Sequence, residues 1–199
     1  MALPTCPHWP AVVPRTPPPA AHPGEETNWL IQAQAGDRAA AALLVEAYWD
    51  RLFRWLFQLT RDRHRAEDLT QETFLKALAA IQSFRVGSNF RAWLFRIAHN
   101  NFVNTKRSDK RRAMPLLDEV PPADIAPGPT TLAEDRETLE RITQAIAELP
   151  REFRTALLLR CEEGMNFRDM AEVLQITEET ARWRVFKARQ KLVKVLEPE

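Results

Sequence analysis

The sequence predicts an all-α fold of two small helical domains, which a flexible, acidic and proline-rich linker joins. Two observations support this prediction. Apolar residues recur at helical spacing between the proline-rich stretches, and no segment shows the alternation that is typical of a strand. Of the 15 prolines, eight lie in residues 1–27 and five in residues 115–129. Because proline breaks helix interiors and sheet ladders, this distribution leaves two separate bodies in which helices can form.

Four parts are therefore expected along the chain: a disordered tail at 1–27, a helical domain at 28–112, the linker at 113–136 and a second helical domain at 137–199. The formal net charge of the chain is only +1, but the first domain holds 15 basic against 8 acidic residues and the linker one against five. Residues 180–194 add six basic residues and no acid. Two basic surfaces indicate a polyanionic partner, although solvated surface charge is an equally good explanation of the counts.

Catalysis, metal binding and membrane insertion are not indicated. Cys6 and Cys161 suggest neither a disulfide framework nor a metal site, and none of the four histidines lies at ligand spacing to another His or a Cys. The sequence contains no phosphate-binding glycine loop, signal peptide or apolar run of about 18 to 20 residues. We therefore expect a cytoplasmic protein that is not an enzyme and has no metal or cofactor.

Two helices are predicted at the start of the first domain. The first runs from Asp37 to about Leu59, and Asp62 is expected to cap the second. The inner face of the second helix contains Leu69, Thr73, Phe74, Ala77 and Ile81. A neighbouring stripe places one leucine among acidic and amide side chains: Asp68, Gln71, Glu72 and Leu75. An exposed leucine in this setting indicates a protein partner, and a solvated face with one stray apolar residue is the alternative.

The next helix, FRAWLFRIAHNNFVNTKR at 90–107, has two different stripes. Its core-facing stripe contains Phe90, Leu94, Ile97, Ala98 and Phe102. A second stripe, which we expect to be exposed, contains Trp93, Arg96, Asn100, Asn104 and Arg107. Unpaired bases stack on aromatic rings and bond to amides, while arginine binds the backbone. This stripe therefore suits a single nucleic-acid strand.

The second domain ends in a predicted helix-turn-helix. Its first helix buries Phe167, Met170, Ala171 and Leu174, and Thr177 is expected to cap the second. The core-facing stripe of that second helix contains Ala181, Val185, Ala188 and Leu192. Its opposite side presents Glu179, Thr180, Trp183, Phe186, Lys187 and Gln190, flanked by Arg182 and Arg184. These residue types can read base edges in a major groove. Two exposed aromatics are unusual on a helix face that only contacts solvent.

Four segments in this order resemble one family. DLTQETFLKAL (68–78), FRAWLFRIAHNNFVNTKR (90–107), ELPREFRTALLLR (148–160) and TARWRVFKARQKL (180–192) are similar to bacterial RNA polymerase sigma factors of the extracytoplasmic-function type, in the sigma-70 family. Such factors keep only the second and fourth conserved sigma regions. The resemblance implies a helical bundle for region 2 and a helix-turn-helix for region 4. It implies as partners core RNA polymerase, promoter DNA as duplex and single strand, and an anti-sigma factor.

The resemblance also assigns roles to matching positions. The polymerase would contact Asp68, Gln71, Glu72 and Leu75. The minus-10 element would contact the loop and the helix that follows it, through Phe84, Arg85, Ser88, Asn89, Trp93, Arg96, Asn100, Asn104 and Arg107. The minus-35 element would contact Thr180, Arg182, Trp183, Arg184, Phe186 and Lys187.

The chain departs from the family pattern at three positions. Trp183 replaces a small polar residue, Asn104 an aspartate and Gln175 a turn glycine. The linker acids Asp118, Glu119, Asp124 and Glu134 could, by the same analogy, lie in the positively charged active-site channel of the polymerase until RNA displaces them. Two other functions remain open at this point: a helix-turn-helix regulator that binds duplex DNA without polymerase, and a helical adaptor for another protein.

Overall fold

The computed structural model describes residues 23–112 and 133–196, with the side chains of residues 24–105 and 141–194. These ranges contain eight α-helices, one short 3-10 helix and no strand, which confirms the all-α prediction. The first domain contains α1 (Pro23–Gln34), α2 (Arg38–Thr60), α3 (Arg63–Ala79), the 3-10 helix (Ile81–Ser83) and α4 (Phe90–Arg112). The second contains α5 (Ala133–Glu148), α6 (Arg151–Cys161), α7 (Phe167–Leu174) and α8 (Glu178–Leu196). None of the described helices is both long and apolar enough to cross a membrane.

Helix α1 begins inside the segment that was expected to be a disordered tail. Pro23 stands at its first position and Glu25 and Glu26 in its first turn, which are favourable placements at a helix N-terminus. The helix is fixed at both ends, since Tyr48 Oη donates to Glu26 Oε1 at 3.0 Å and Gln34 Nε2 donates to the carbonyl of Phe84 at 2.7 Å. These tertiary contacts explain why local composition did not reveal the helix. Residues 1–22 of the predicted tail lie outside the described residues.

Helices α2 and α3 form as predicted. Asp37 Oδ1 accepts from the backbone N–H of Ala39 at 2.8 Å, and Asp62 Oδ1 accepts from that of Arg65 at 3.1 Å, so both caps satisfy N–H groups that a helix start leaves free. The predicted inner face of α3 is buried, and α2 buries Trp55 together with Leu44, Leu52, Leu56 and Leu59. Trp55 stacks at a tilt against Phe95 of α4, with ring centroids 5.3 Å apart.

The second domain is organised around α8. The predicted inward side chains Ala181, Val185, Ala188 and Leu192 are all buried. Thr177 caps this helix, because its Oγ1 accepts from the N–H of Thr180 at 3.1 Å, as predicted. The predicted linker ends earlier than expected: α5 starts at Ala133, so residues 133–136 are helical. Asp118, Glu119 and Asp124 lie outside the described residues, as does the side chain of Glu134.

The two domains pack directly on each other. Helix α7 lies against α4, and α6 lies against α2. One apolar cluster therefore runs through both domains, from the α2 and α4 side chains to Met165, Met170 and Val173 of the second domain. Helix α4 is enclosed by its own bundle on one side and by α7 on the other.

Candidate nucleic-acid interface

The predicted polymerase stripe lies on the outer face of α3. Leu75 is 71% exposed, Asp68 and Gln71 are exposed, and Glu72 is half-buried. Glu72 forms an ion pair with Lys76 at 2.6 Å one turn further on. The predicted inner face is buried, so a large apolar side chain remains in solvent beside polar neighbours. This arrangement suits a surface that a protein partner covers.

The loop before α4 presents three of its four predicted side chains. Arg85, Ser88 and Asn89 are exposed, and Asn89 Oδ1 also caps α4 by accepting from the N–H of Ala92 at 3.1 Å. Gly87 adopts a φ of 91°, which ordinary residues rarely adopt, and this turns the loop back toward the helix. Phe84 is different, since its ring is buried against Phe90 at 5.4 Å.

The expectation that Trp93 is exposed is wrong. Trp93 is only 9% exposed, and its ring lies 5.2 Å from that of Phe84 and 5.7 Å from that of Phe90. Periodicity placed Trp93 beside the core stripe, but it could not show that the preceding loop folds its phenylalanine over the indole. The buried rings of Phe84 and Trp93 therefore pack beneath the exposed loop side chains and support the loop.

The other members of the predicted α4 stripe are more accessible. Arg96 and Asn100 are half-buried, and Asn104 is exposed. The side chain of Arg107 lies outside the described residues. The buried amide on this helix is Asn101, which the stripe did not include.

Side chains that the sequence did not single out connect α4 and α2 with the second domain. Arg51 of α2 forms an ion pair with Glu163 at 2.8 Å, and Arg91 of α4 donates to the Glu163 carbonyl at 2.9 Å. Arg96 pairs with Glu172 of α7 at 3.3 Å. Because Arg51 and Glu163 are 112 positions apart, no local pattern in the sequence indicates their contact.

His99 lies near the second domain in a positively charged setting. Burial, together with the charges of Arg151 on α6 and Arg184 on α8, lowers its pKa to about 4. Its Nδ1 is buried and has no hydrogen-bond partner among the described residues. The neutral imidazole is therefore the form that fits this place.

Helix α8 presents the predicted outward face. Trp183 is 49% exposed and Phe186 55%, which confirms that two aromatics face solvent. The Trp183 ring packs edge-on against Phe153 at 5.6 Å. Arg182 is exposed and stacks over Phe167 at 4.7 Å. Thr180, Arg184 and Lys187 are half-buried, and Glu179 and Gln190 are exposed.

Comparisons with known proteins agree with this geometry. The model of sigma-70 region 2 matches residues 44–112, and that of sigma-70 region 4 matches residues 139–192. The RNA polymerase sigma-H factor of Pseudomonas aeruginosa is 35% identical over 185 residues, covering 87% of this chain and 95% of that protein. The chain belongs to the sigma-70 family of RNA polymerase sigma factors.

This sigma factor is of the extracytoplasmic-function type. It is similar to the extracytoplasmic-function sigma-E factor of Haemophilus influenzae, with 33% identity over 189 residues that cover 84% of this chain and 93% of that protein. It is also similar to the sigma factor RpoE of Bartonella quintana, whose structure was solved in complex with the anti-sigma factor NepR. The TM-score is 0.64 at 27% identity, over 78% of this chain and 95% of that chain. Helices α2 to α4 of this sigma factor fall in region 2, and α5 to α8 in region 4.

Proposed function

We propose that this sigma factor binds core RNA polymerase, directs it to specific promoters and assists in separating the DNA strands where transcription starts. The observation that carries the proposal is that one chain of this family displays two distinct outward surfaces, the leucine stripe of α3 and the aromatic face of α8. A regulator that binds only duplex DNA has a use for the second surface but not for the first. Family membership favours the sigma factor over that regulator and over an adaptor without a DNA role.

Each surface has a part in the proposal. The polymerase contacts the stripe of Asp68, Gln71, Glu72 and Leu75. The minus-10 strand contacts the exposed loop side chains Arg85, Ser88 and Asn89, together with Arg96, Asn100, Asn104 and Arg107 of α4. While the two domains are packed together, which we call the closed arrangement, Phe84 and Trp93 support that surface and do not stack on a base. The minus-35 duplex contacts α8 through Thr180, Arg182, Trp183, Arg184, Phe186 and Lys187.

Strand separation requires the polymerase as well. Melting about a dozen base pairs costs on the order of 15 kcal/mol, at roughly 1.4 kcal/mol of stacking per step. One captured base returns only about 1 to 3 kcal/mol. We therefore propose a subunit without catalytic activity, which traps the first unpaired bases in the cytoplasm while core polymerase supplies the remaining free energy. An anti-sigma factor completes the proposed partners, by analogy with the Bartonella quintana complex.

The packed domains must separate for this function. The minus-10 and minus-35 elements lie about 25 base pairs apart, or about 85 Å at about 3.4 Å per base pair. Helices α4 and α7 are in contact, so the region that binds one element lies against the region that binds the other. We therefore propose that this sigma factor opens when it docks on the polymerase.

The decisive experiment compares two exposed leucines of region 2. Leu75→Ala removes the apolar centre of the stripe, whereas Leu43→Ala removes a leucine that is 40% exposed on α2. Both variants should keep the helical content and unfolding midpoint of the wild type. We expect Leu75→Ala to weaken binding to purified core polymerase by about tenfold or more, the size of effect typical of a central interface residue.

The same variants are then used in run-off transcription on a genomic library. Leu43→Ala should support the same transcript starts as the wild type, and Leu75→Ala should need a higher concentration to produce them. If the wild-type protein neither binds core polymerase nor directs any start, the chain is a duplex-binding regulator or an adaptor and the proposal is wrong.

A further inference from the structure

One glutamate of region 4 is bound by two arginines of region 2, at its carboxylate by one and at its backbone carbonyl by the other. Arg51 donates from Nε and Nη2 to the same oxygen of Glu163, at 3.1 and 2.8 Å. The Arg51 side chain is 12% exposed and that of Glu163 is 5% exposed. Arg91 donates to the backbone carbonyl of Glu163 at 2.9 Å. The loop between α6 and α7 is therefore held against α2 and the start of α4.

A second pair extends the same contact along α4. Arg96 Nη1 lies 3.3 Å from Glu172 Oε1 on α7. Both partners are more exposed than Arg51 and Glu163. Region 2 thus contributes the positive charges and region 4 the negative charges. We call Arg51, Arg91 and Arg96 the arginine patch.

The burial of Glu163 disfavours the charged form of its carboxylate. Burial raises the pKa of Glu163, and the charge of Arg51 opposes that rise. Removing two charges from water is costly, so buried ion pairs are weak evidence for stability by themselves. A contact of this kind is therefore suited to an arrangement that must open again.

The arginine patch adjoins the proposed minus-10 surface. Arg91 follows the cap residue Asn89 by two positions, and Arg96 belongs to the predicted minus-10 stripe. Guanidinium groups bind phosphate with the same fork geometry that they use for carboxylate. In the closed arrangement the patch binds carboxylate and carbonyl groups of region 4 instead.

We propose that Arg51, Arg91 and Arg96 bind backbone phosphates of the single-stranded minus-10 DNA, and that Glu163 and Glu172 of region 4 occupy this patch until the domains separate. The inference rests on the proposed function and adds two binding residues, Arg51 and Arg91, that lie outside the predicted minus-10 set. Closure and strand binding then exclude each other. The apparent affinity for the strand is lowered by the fraction of molecules that are closed.

The two sides of one ion pair allow a sharp test. Glu163→Gln and Arg51→Gln both break the pair, but only the second removes a phosphate ligand. The probe is a fluorescein-labelled twelve-nucleotide oligothymidine, bound by the full-length protein without polymerase and followed by fluorescence anisotropy over a range of salt. We expect Glu163→Gln to bind about three- to tenfold more tightly than the wild type, because its open fraction rises.

Arg51→Gln should not share that gain. The double variant should bind more weakly than Glu163→Gln, with a salt slope smaller by about 0.7 for the one lost phosphate contact on a single strand. If Arg51→Gln and Glu163→Gln gain affinity equally, the pair only holds the domains together and Arg51 binds no phosphate. If neither variant changes the affinity, the patch is not masked. Either result overturns the proposal.

An exposed ion pair of region 2 provides the matched control. Arg63 and Glu67 lie 2.9 Å apart within α3, and Glu67→Gln and Arg63→Gln change the net charge by the same amounts. Neither should change the affinity by more than about twofold, since exposed pairs contribute little and screening is strong.

A second pair keeps the test decisive should Glu163→Gln fail to fold. Glu172→Gln and Arg96→Gln break the more exposed contact. Glu172→Gln should raise the affinity for the strand, as Glu163→Gln does, and Arg96→Gln should not. Run-off transcription with core polymerase is measured on the same proteins. A wild-type protein that directs no transcription contradicts the proposed function. If the variants are active in transcription but all bind the strand with equal affinity, only the proposed role of the arginine patch is wrong.

Discussion

The side-chain amide of Asn101 donates a 3.1 Å hydrogen bond to Thr73 Oγ1 inside region 2. Its side-chain oxygen Oδ1 accepts from Lys76 Nζ at 2.7 Å, so both ends of this buried amide are bound by α3. Asn104, three residues further along α4, is exposed. Two asparagines on one helix therefore have different roles. We expect Asn101→Ala to lower the free energy of unfolding by about 1 to 3 kcal/mol, because it removes two hydrogen bonds, one of them to a charged group.

Asn104→Ala is the matched variant for this prediction. It should leave the free energy of unfolding unchanged within about 0.5 kcal/mol, as is usual for an exposed site, and weaken binding to single-stranded minus-10 DNA. Urea denaturation followed by circular dichroism measures the first effect and fluorescence anisotropy the second. Equal losses of stability in the two variants would contradict the separation of roles.

Trp183 of α8 is held in place while part of its ring remains available. The edge-on contact with Phe153 orients the indole, and about half of the side chain faces solvent. We expect Trp183→Ala to reduce the preference for the minus-35 element over a permuted duplex by about tenfold, within the range of about 1 to 3 kcal/mol of a base contact. Binding of labelled duplex fragments measures this preference. Val193→Ala, at another exposed apolar position of α8, should keep it, and an unchanged preference in Trp183→Ala would exclude Trp183 from reading bases.

Apart from α1, the helices and most of their buried faces could be predicted because each depends on local signals. Spacing alone identified the inner faces of α3 and α8, and Asp62 and Thr177 cap helices where their residue types predicted it. The exposed Leu75 and Phe186 also followed from periodicity, since an apolar residue opposite a buried face must meet solvent. These are properties of one helix at a time.

Contacts between different elements could not be predicted from the spacing of residues within one helix. Trp93 was assigned to an exposed stripe, yet the phenylalanine of the preceding loop covers it. Arg51 carried no local signal of its contact with Glu163. The helical period describes which residues share a face, but it does not indicate which other element will cover that face.

Protonation of His99 should favour separation of the domains. Its pKa is lowered from 6.5 to about 4 by burial and by Arg151 and Arg184, which both belong to region 4. The group takes up a proton more readily when the domains are apart, so its contribution to closure is fully present above pH 6.5 and is lost as the pH falls toward 4. Within that window the ratio of closed to open molecules should fall by up to about tenfold per pH unit.

The measurement must separate His99 from Glu163, because protonation of that carboxylate removes the negative charge that Arg51 binds. Burial raises the pKa of Glu163, so this carboxylate also takes up a proton as the pH falls. The distance between a fluorophore pair, one on each domain, is therefore followed against pH in the wild type and in His99→Gln. The difference between the two curves should show opening on acidification. Superimposable curves would mean that His99 does not sense the closure.

Gln175 ends α7 in a conformation that suits glycine. Its φ of 55° and ψ of 47° lie in the left-handed region, where a side chain crowds the backbone, and its N–H donates to the carbonyl of Ala171. Gln175→Gly removes this crowding, which costs roughly 1 to 2 kcal/mol, but it also makes the unfolded chain more flexible. We expect a net gain of about 0.5 to 1 kcal/mol in the free energy of unfolding. Gln175→Ala keeps the crowding and should gain nothing. If alanine stabilises region 4 as much as glycine does, the gain comes from losing the glutamine side chain and not from relief of the backbone.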